Sequence, residues 1–215
     1  SYIKETVIKK VLFNFIKFIL LAQIVCSHQV FANQFDKSNP ETSSGITQAQ
    51  ESFSNKFMIV TADKRASIAA RKVLLAGGNA LDAAIAAQNV LSVVEPQSSG
   101  LGGGGFLLFF NNLNKKIYAF DGRETSSSIV KGDMYLINNN KMPFIEAIQK
   151  SFSVGVPGLY YMLAHAHNKF GILQWEKLFI SAIRHSEGFK VGERLNKLLN
   201  WAPHIKRNKF VKDTY

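Results

Sequence analysis

The sequence predicts a mixed α/β (α+β) chain, and three observations predict it. Apolar runs of strand length occur at Phe57 to Val60, Phe106 to Phe110 and Ile117 to Phe120. Longer segments before and after the last two carry apolar residues at helical spacing. Glycine or proline stands at the ends of these segments, where a helix or strand has to stop.

Residues 1–32 have the layout of a secretory signal. Lys4, Lys9 and Lys10 make a positive start, Phe18 to Val25 an apolar core, and Val30-Phe31-Ala32 a cleavage site. Cleavage is expected after Ala32, giving a periplasmic or secreted product. The apolar core is shorter than the roughly 18 residues of a membrane span, and Lys17 sits beside it, so no stable span is expected. An amphipathic surface helix is the alternative reading. Cys26 invites comparison with a lipid-anchored cysteine, but Gln23-Ile24-Val25 lacks the small residues such a site prefers.

Residues 33–55 are rich in Asn, Gln, Ser and Thr and read as a flexible polar lead-in. The folded part is expected from about residue 56 to the last residue, 215. Phe57 to Val60 is expected as a short buried strand. A helix is expected from Lys64 to about Ala76, with Ile68, Val73 and Leu75 among its apolar positions. Gly77-Gly78 ends it, because glycine enters the left-handed C-cap conformation without strain. Asn79 caps the next helix, Ala80 to about Val94, with Asp82 in its first turn near the positive helix end. Ala83, Ala84, Ala86 and Ala87 give that helix little bulk, so it can pack closely. Pro96 stops it.

Phe106 to Phe110 then pairs as a hairpin with Ile117 to Phe120 across the polar turn at 111–116. Pro157 suits the start of a helix reaching about His167, with Gly171 just beyond its end. Trp175 to Glu187, closed by Gly188, and Glu193 to Trp201, stopped by Pro203, are the last two expected helices.

The chain has 215 residues, with 26 Lys plus Arg against 15 Asp plus Glu and a formal net charge of +11. Hydrophobic residues at 47% and charged residues at 19% exclude a wholly disordered chain. One cysteine excludes a disulfide framework and a cysteine-rich zinc module. The basic excess concentrates at Lys206, Arg207, Lys209 and Lys212, without interleaved stacking aromatics. That reads as a solvated basic tail, and nucleic acid is not an expected partner.

Gly100, Gly102 and Gly105 fit the G-x-G-x-x-G spacing of a dinucleotide loop, but a helix precedes them and a strand follows, the reverse of that motif. A tight backbone passage between layers, or a wall where backbone approaches a ligand, are the two readings left. His165 and His167, two apart on a helix, do not share a face and cannot clamp one metal; surface or capping roles are expected. His28 lies in the signal, and His185 and His204 have no partners at ligand spacing. Ser151 and Ser153 read as turn and capping residues, and no Gly-x-Ser-x-Gly elbow is present. Arg123 stands out. In Asp121-Gly122-Arg123-Glu124, at the end of the second hairpin strand, it is either a structural ion pair with a flanking carboxylate or a planar fork that takes a ligand carboxylate in two parallel hydrogen bonds.

Four blocks in order resemble the large subunit of gamma-glutamyltranspeptidases. They are Gly77-Gly78-Asn79-Ala80-Leu81-Asp82-Ala83-Ala84, the run Val93-Val94-Glu95-Pro96-Gln97-Ser98-Ser99-Gly100-Leu101-Gly102-Gly103-Gly104-Gly105-Phe106, Asp121-Gly122-Arg123-Glu124, and Ser153-Val154-Gly155-Val156-Pro157-Gly158. The similarity spans about residues 57 to 203. It implies an N-terminal-nucleophile hydrolase fold, a four-layer αββα sandwich that is incomplete in this chain. It implies a precursor that cleaves itself into large and small subunits, and a new N-terminal threonine whose own amine is the base for attack on a γ-glutamyl amide such as that of glutathione. Water, an amine or a peptide then accepts the glutamyl group, with no metal or organic cofactor. By position, the resemblance makes Arg123 the substrate-binding residue for the glutamyl α-carboxylate.

The departures carry their own expectations. Thr6, Thr42, Thr47, Thr61, Thr125 and Thr214 do not stand in the context of the family nucleophile, so no catalytic residue is expected in this chain. It is expected to be inactive alone, as a fragment or remnant whose missing small subunit is supplied in trans, if at all. Asp63-Lys64 replaces a common His-Pro pair, and Ser126-Ser127 replaces Ala-Pro. A cephalosporin acylase-type relative shares much of the pattern. A secreted, non-catalytic protein that binds acidic surfaces through the basic tail is the reading from another class.

Overall fold

The computed structural model describes residues 51–201 together with Lys209 and Asp213. The chain divides into two units, Ser1–Thr42 and Ser43–Tyr215, and every described residue belongs to the second. The signal with His28 and Cys26, most of the polar lead-in, and Pro203, His204, Lys206, Arg207 and Lys212 lie outside the described residues. Lys209 is exposed. Among the described residues no helix is long and apolar enough to cross a membrane.

The first two helices form an antiparallel-type pair built on alanine. Helix α1 runs Lys64–Leu75 and buries Ala66, Ala69, Ala70 and Val73, a spacing of three and four that lines one face. Of the apolar positions read from the sequence only Val73 is buried; Ile68 and Leu75 are exposed. The alanines occupy the inward stripe because small side chains let α2, Ala80–Val94, approach closely. From α2, Leu81, Ala83, Ile85, Ala86, Ala87, Val90 and Val94 join the same core. Gly77 takes φ +91° between the helices, as expected for the C-terminal glycine.

Both helix starts are capped through side chains. Asp63 accepts from the Arg65 amide at 2.8 Å and forms an ion pair with the Arg65 guanidinium at 2.6 Å. Asn79 and Asp82 make a reciprocal capping box on α2. Asp82 does more than cap. Its carboxylate is fully buried and also accepts from the amides of Ile172 and Leu173 at 3.1 and 3.2 Å. Asn79 Nδ2 donates to the Phe170 carbonyl at 2.6 Å, and His167 Nε2 lies 2.9 Å from the Leu173 carbonyl. The start of α2 is thereby stitched to the end of a later helix.

The hairpin β1, Phe106–Asn111, and β2, Lys116–Asp121, pairs Phe106 with Asp121 and Asn111 with Lys116. Its inner face packs on α4, Leu159–Phe170: the Phe170 ring sits 4.9 Å from Phe109 and 4.6 Å from Tyr118. Its outer face leaves Phe106, Leu108, Phe110 and Ile117 exposed. A strand pair apolar on both faces is the pattern of a sheet meant to be covered twice.

Three expectations change. Phe57 to Val60 is no strand; it alternates half-buried and exposed residues over α1 and α2, and no ladder partner for it stands among the described residues. Between β2 and α4 lie elements the sequence reading did not place: the two-residue strands β3, Leu136–Ile137, and β4, Asn140–Lys141, the single-turn helix α3, Phe144–Ala147, and a 3-10 turn at Ser151–Ser153. Trp175 to Glu187 is not one helix. Trp175–Phe179 is a 3-10 segment and only Ile180–Ser186, α5, is α-helical. Asn89 Nδ2 takes the Leu178 carbonyl at 3.1 Å, which ties the 3-10 segment to α2. Helix α6 runs Glu193–Trp201, as expected.

Three outcomes test this architecture. Asp82→Ala should lower the urea unfolding free energy by about 2–4 kcal/mol, because it orphans several backbone N–H groups at once. Asp63 titrates below the ordinary aspartate range, first because of its hydrogen bond with Arg65. Its contribution is therefore present above about pH 4 and is lost as pH falls through the lowered value. Asp63→Asn keeps a capping side chain but loses the ion pair with Arg65, and should cost up to about 1 kcal/mol at neutral pH, a gap to wild type that narrows in melts run below about pH 4. On the hairpin, replacing Leu108 and Phe110 together by threonine should reduce binding of a hydrophobic dye and self-association seen by light scattering.

Candidate functional site

Backbone hydrogen bonds place Arg123 at a crossing of three segments. The hairpin ladder continues one step past Phe106 and Asp121, where Gly105 and Gly122 exchange amide-to-carbonyl bonds of 3.1 and 2.9 Å. Three residues beyond Gly122, Thr125 pairs with Val156 in an isolated antiparallel bridge. The Leu159 amide at the start of α4 donates to Gly103 at 3.2 Å. The glycine run, the Asp121–Thr125 segment and the 155–159 segment thus lie side by side. Between the two open readings of the glycine run, a tight backbone passage describes this part of it.

The packing there leaves no room for side chains at several glycines. A Cβ on Gly122 would lie 2.6 Å from Met162 Cβ, and one on Gly158 would meet Gly122 backbone at 2.8 Å. A Cβ on Gly155 would fall 2.8 Å from Glu124 Cβ. At Gly100 and Gly102 nothing lies within 4 Å.

Of the two carboxylates that flank Arg123, each does something different. Asp121 Oδ1 accepts from the Arg123 backbone amide at 2.9 Å and so shapes the turn. Glu124 Oε2 accepts from Arg123 Nη1 at 2.7 Å. The Arg123 side chain is 66% exposed and that of Glu124 29%. Its other guanidinium N–H groups have no partner among the described residues. Arg123 also lines an open cavity of about 930 Å³ with Glu124, Lys131, Tyr135, Phe152 and Gly155 among its walls. The Tyr135 and Phe152 rings meet edge-on at 5.5 Å. A guanidinium held on one edge and open on the others, at the rim of a cavity, suits a planar anion.

The remaining candidates fall into structural roles. His165 is exposed, with its ring 6.0 Å from Phe120. His167 packs on Trp175 at 5.1 Å and ties the turn after α4. They part to different sides, as their spacing predicted. Ser153 donates to the Ala147 carbonyl, and both Ser151 and Ser153 border the cavity. Among the described residues no three His, Cys, Asp or Glu side chains are grouped so that they could hold a metal ion. Sequence reasoning missed Lys131, Tyr135 and Phe152 as cavity walls. Their segment carries no periodic pattern, so nothing local marks it.

The residue just before the helix-stopping Pro96 is an anchor. Glu95, buried at the end of α2, accepts from Gln97 Nε2 at 2.6 Å and from Arg194 Nη1 of α6 at 2.8 Å. This fixes the approach to the glycine run from a residue far along the chain.

Comparison with known proteins identifies the family. The family described as Gamma-glutamyltranspeptidase matches residues 66–215. The glutathione hydrolase proenzyme of Bacillus subtilis (strain 168) is 38% identical over 145 residues, 66% of this chain and 25% of that protein. Among solved structures, Helicobacter pylori gamma-glutamyltranspeptidase aligns with a TM-score of 0.70 at 27% identity, over 76% of this chain and 47% of that one. The Pseudomonas nitroreducens gamma-glutamyltranspeptidase complexed with L-DON aligns with a TM-score of 0.67 at 30% identity, over 73% and 47%. The chain spans about a quarter of the curated relative's length and just under half of the solved chains. These structures give it the N-terminal-nucleophile hydrolase fold of mixed α+β class.

Proposed function

The chain belongs to the gamma-glutamyltranspeptidase family, and we propose that it supplies the arginine half of a γ-glutamyl site, in which Arg123 grips the substrate α-carboxylate. The observation that carries this reading is a guanidinium with unpartnered N–H groups on the wall of an open cavity, in the Asp-Gly-Arg-Glu block of the family resemblance. The substrate class is γ-glutamyl amides, glutathione among them.

In this reading the chain's own residues bind and orient. The carboxylate receives two parallel N–H bonds from Arg123, which fixes the rotation of the glutamyl group as well as its position. Glu124 keeps the guanidinium from swinging away, and Asp121 holds the turn that presents it. The reaction is acyl transfer: a threonine hydroxyl attacks the γ-amide carbon, the amine leaves with the proton, and water or a second amine takes the glutamyl group from the ester. Neither described threonine fits that nucleophile. Thr61 donates to the Asp63 carbonyl as part of a cap, and Thr125 lies in the bridge to Val156. In this reading the hydroxyl comes from the small subunit that the family resemblance implies. Export follows the same reading, through residues 1–32 and cleavage after Ala32 to the periplasm or beyond.

The test is a pair of ligands that differ by one carboxylate. L-glutamate should bind the purified chain, and Arg123→Lys should weaken it about tenfold or more, because an ammonium keeps the charge but cannot make the two-pronged contact. 4-Aminobutyrate, which lacks the α-carboxylate, should respond little to the substitution. Equal affinity of wild type and Arg123→Lys for L-glutamate would remove Arg123 from the site.

A further inference from the structure

The glycine run holds four consecutive glycines, and the structure treats them differently. A Cβ at Gly102 would meet nothing within 4 Å. One at Gly104 would strike the Glu124 carboxylate, with Cδ at 2.7 Å and the Glu124 backbone nitrogen also at 2.7 Å. Neither residue has a positive φ, so what separates them is space and not backbone conformation. The carboxylate that fills the space over Gly104 is the same group that accepts from Arg123 Nη1 at 2.7 Å.

We infer that Gly104 is a positioning residue: its missing side chain is the seat into which the Glu124 carboxylate folds, and that seat sets the direction of the Arg123 guanidinium. Gly155 closes the seat from the other side, against Glu124 Cβ. An exposed ion pair between adjacent residues contributes little by itself, since both side chains are free to wander. Seated against glycine backbone on two sides, Glu124 loses that freedom, and the guanidinium bonded to it loses much of its own. Gly104 thus acts through Glu124 on a side chain in another segment. The inference rests on reading Arg123 as the carboxylate grip, but its geometry is testable without any substrate.

Phenylglyoxal provides the probe, because it must reach the guanidinium nitrogens, and the one bonded to Glu124 is held and covered. The rate at which Arg123 is modified in the full chain, read by mass spectrometry on the peptide that carries it, reports the pairing. Arg65, Arg71 and Arg184 serve as internal standards. Gly104→Ala should speed modification of Arg123 about threefold to tenfold, the size expected for losing one side-chain hydrogen bond, and leave the standards unchanged. Gly102→Ala should react as wild type. Wild-type reactivity in a folded Gly104→Ala, or equal acceleration by Gly102→Ala, would overturn the inference. Should Gly104→Ala fail to fold, Glu124→Gln leaves the glycines intact and should give the same acceleration at Arg123; an unchanged rate there would also overturn it. Protection by L-glutamate is a separate arm. Its absence in wild type would sink the carboxylate-grip reading while leaving the seat in place.

Discussion

A fully buried carboxylate organises this chain. Asp82 sits at the start of α2, where it closes the capping box with Asn79 and also receives the amides of Ile172 and Leu173. Removing a carboxylate from water is costly, and it is tolerated here because backbone N–H groups converge on it at the positive end of a helix. Residues 79–82 and 170–173 are consequently one structural unit, although about ninety residues separate them. The end of α4 is pinned by that unit, and Phe170 at that end carries the inner face of the hairpin.

From there the order passes to the site through backbone and not through side chains. The hairpin delivers Asp121 to the crossing, the Gly105–Gly122 pair extends the ladder by one step, and the bridge from Thr125 to Val156 anchors the far side. Arg123 is suspended between two fixed points, Gly122 and Thr125, three residues apart. Its surroundings are glycine because three backbones pass at distances that exclude a Cβ. Alanine does the same for α1 and α2, one scale up. In both places close approach of main chains is achieved by deleting side-chain volume, and the larger apolar residues are left to fill the gaps.

The outer face of the hairpin follows a different logic. Phe106, Leu108, Phe110 and Ile117 point away from α4 and are exposed, while their neighbours Leu107, Phe109 and Phe120 pack against the core. A strand that is apolar on both faces belongs between two layers. The described residues provide one of them. This agrees with the share of the solved family chains that the sequence spans, just under half.

Helices and hairpin were legible in the sequence because their signals are local. Gly77-Gly78 and Pro96 mark helix ends, Asn79 marks a helix start, and two apolar runs, Phe106 to Phe110 and Ile117 to Phe120, flank a polar turn. The family blocks, and Arg123 within them, were legible for the same reason: each is a short run of neighbours. The tertiary structure alone decided the rest. It showed that Phe57 to Val60 finds no ladder partner among the described residues, that alanine and not Ile68 or Leu75 lines the inner stripe of α1, and that Trp175 to Phe179 tightens to a 3-10 turn. It also decided that Glu124, and not Asp121, takes the guanidinium, and that one glycine of four makes the room for it. Each of these depends on what a distant segment brings within a few ångströms, and a linear pattern carries no distances.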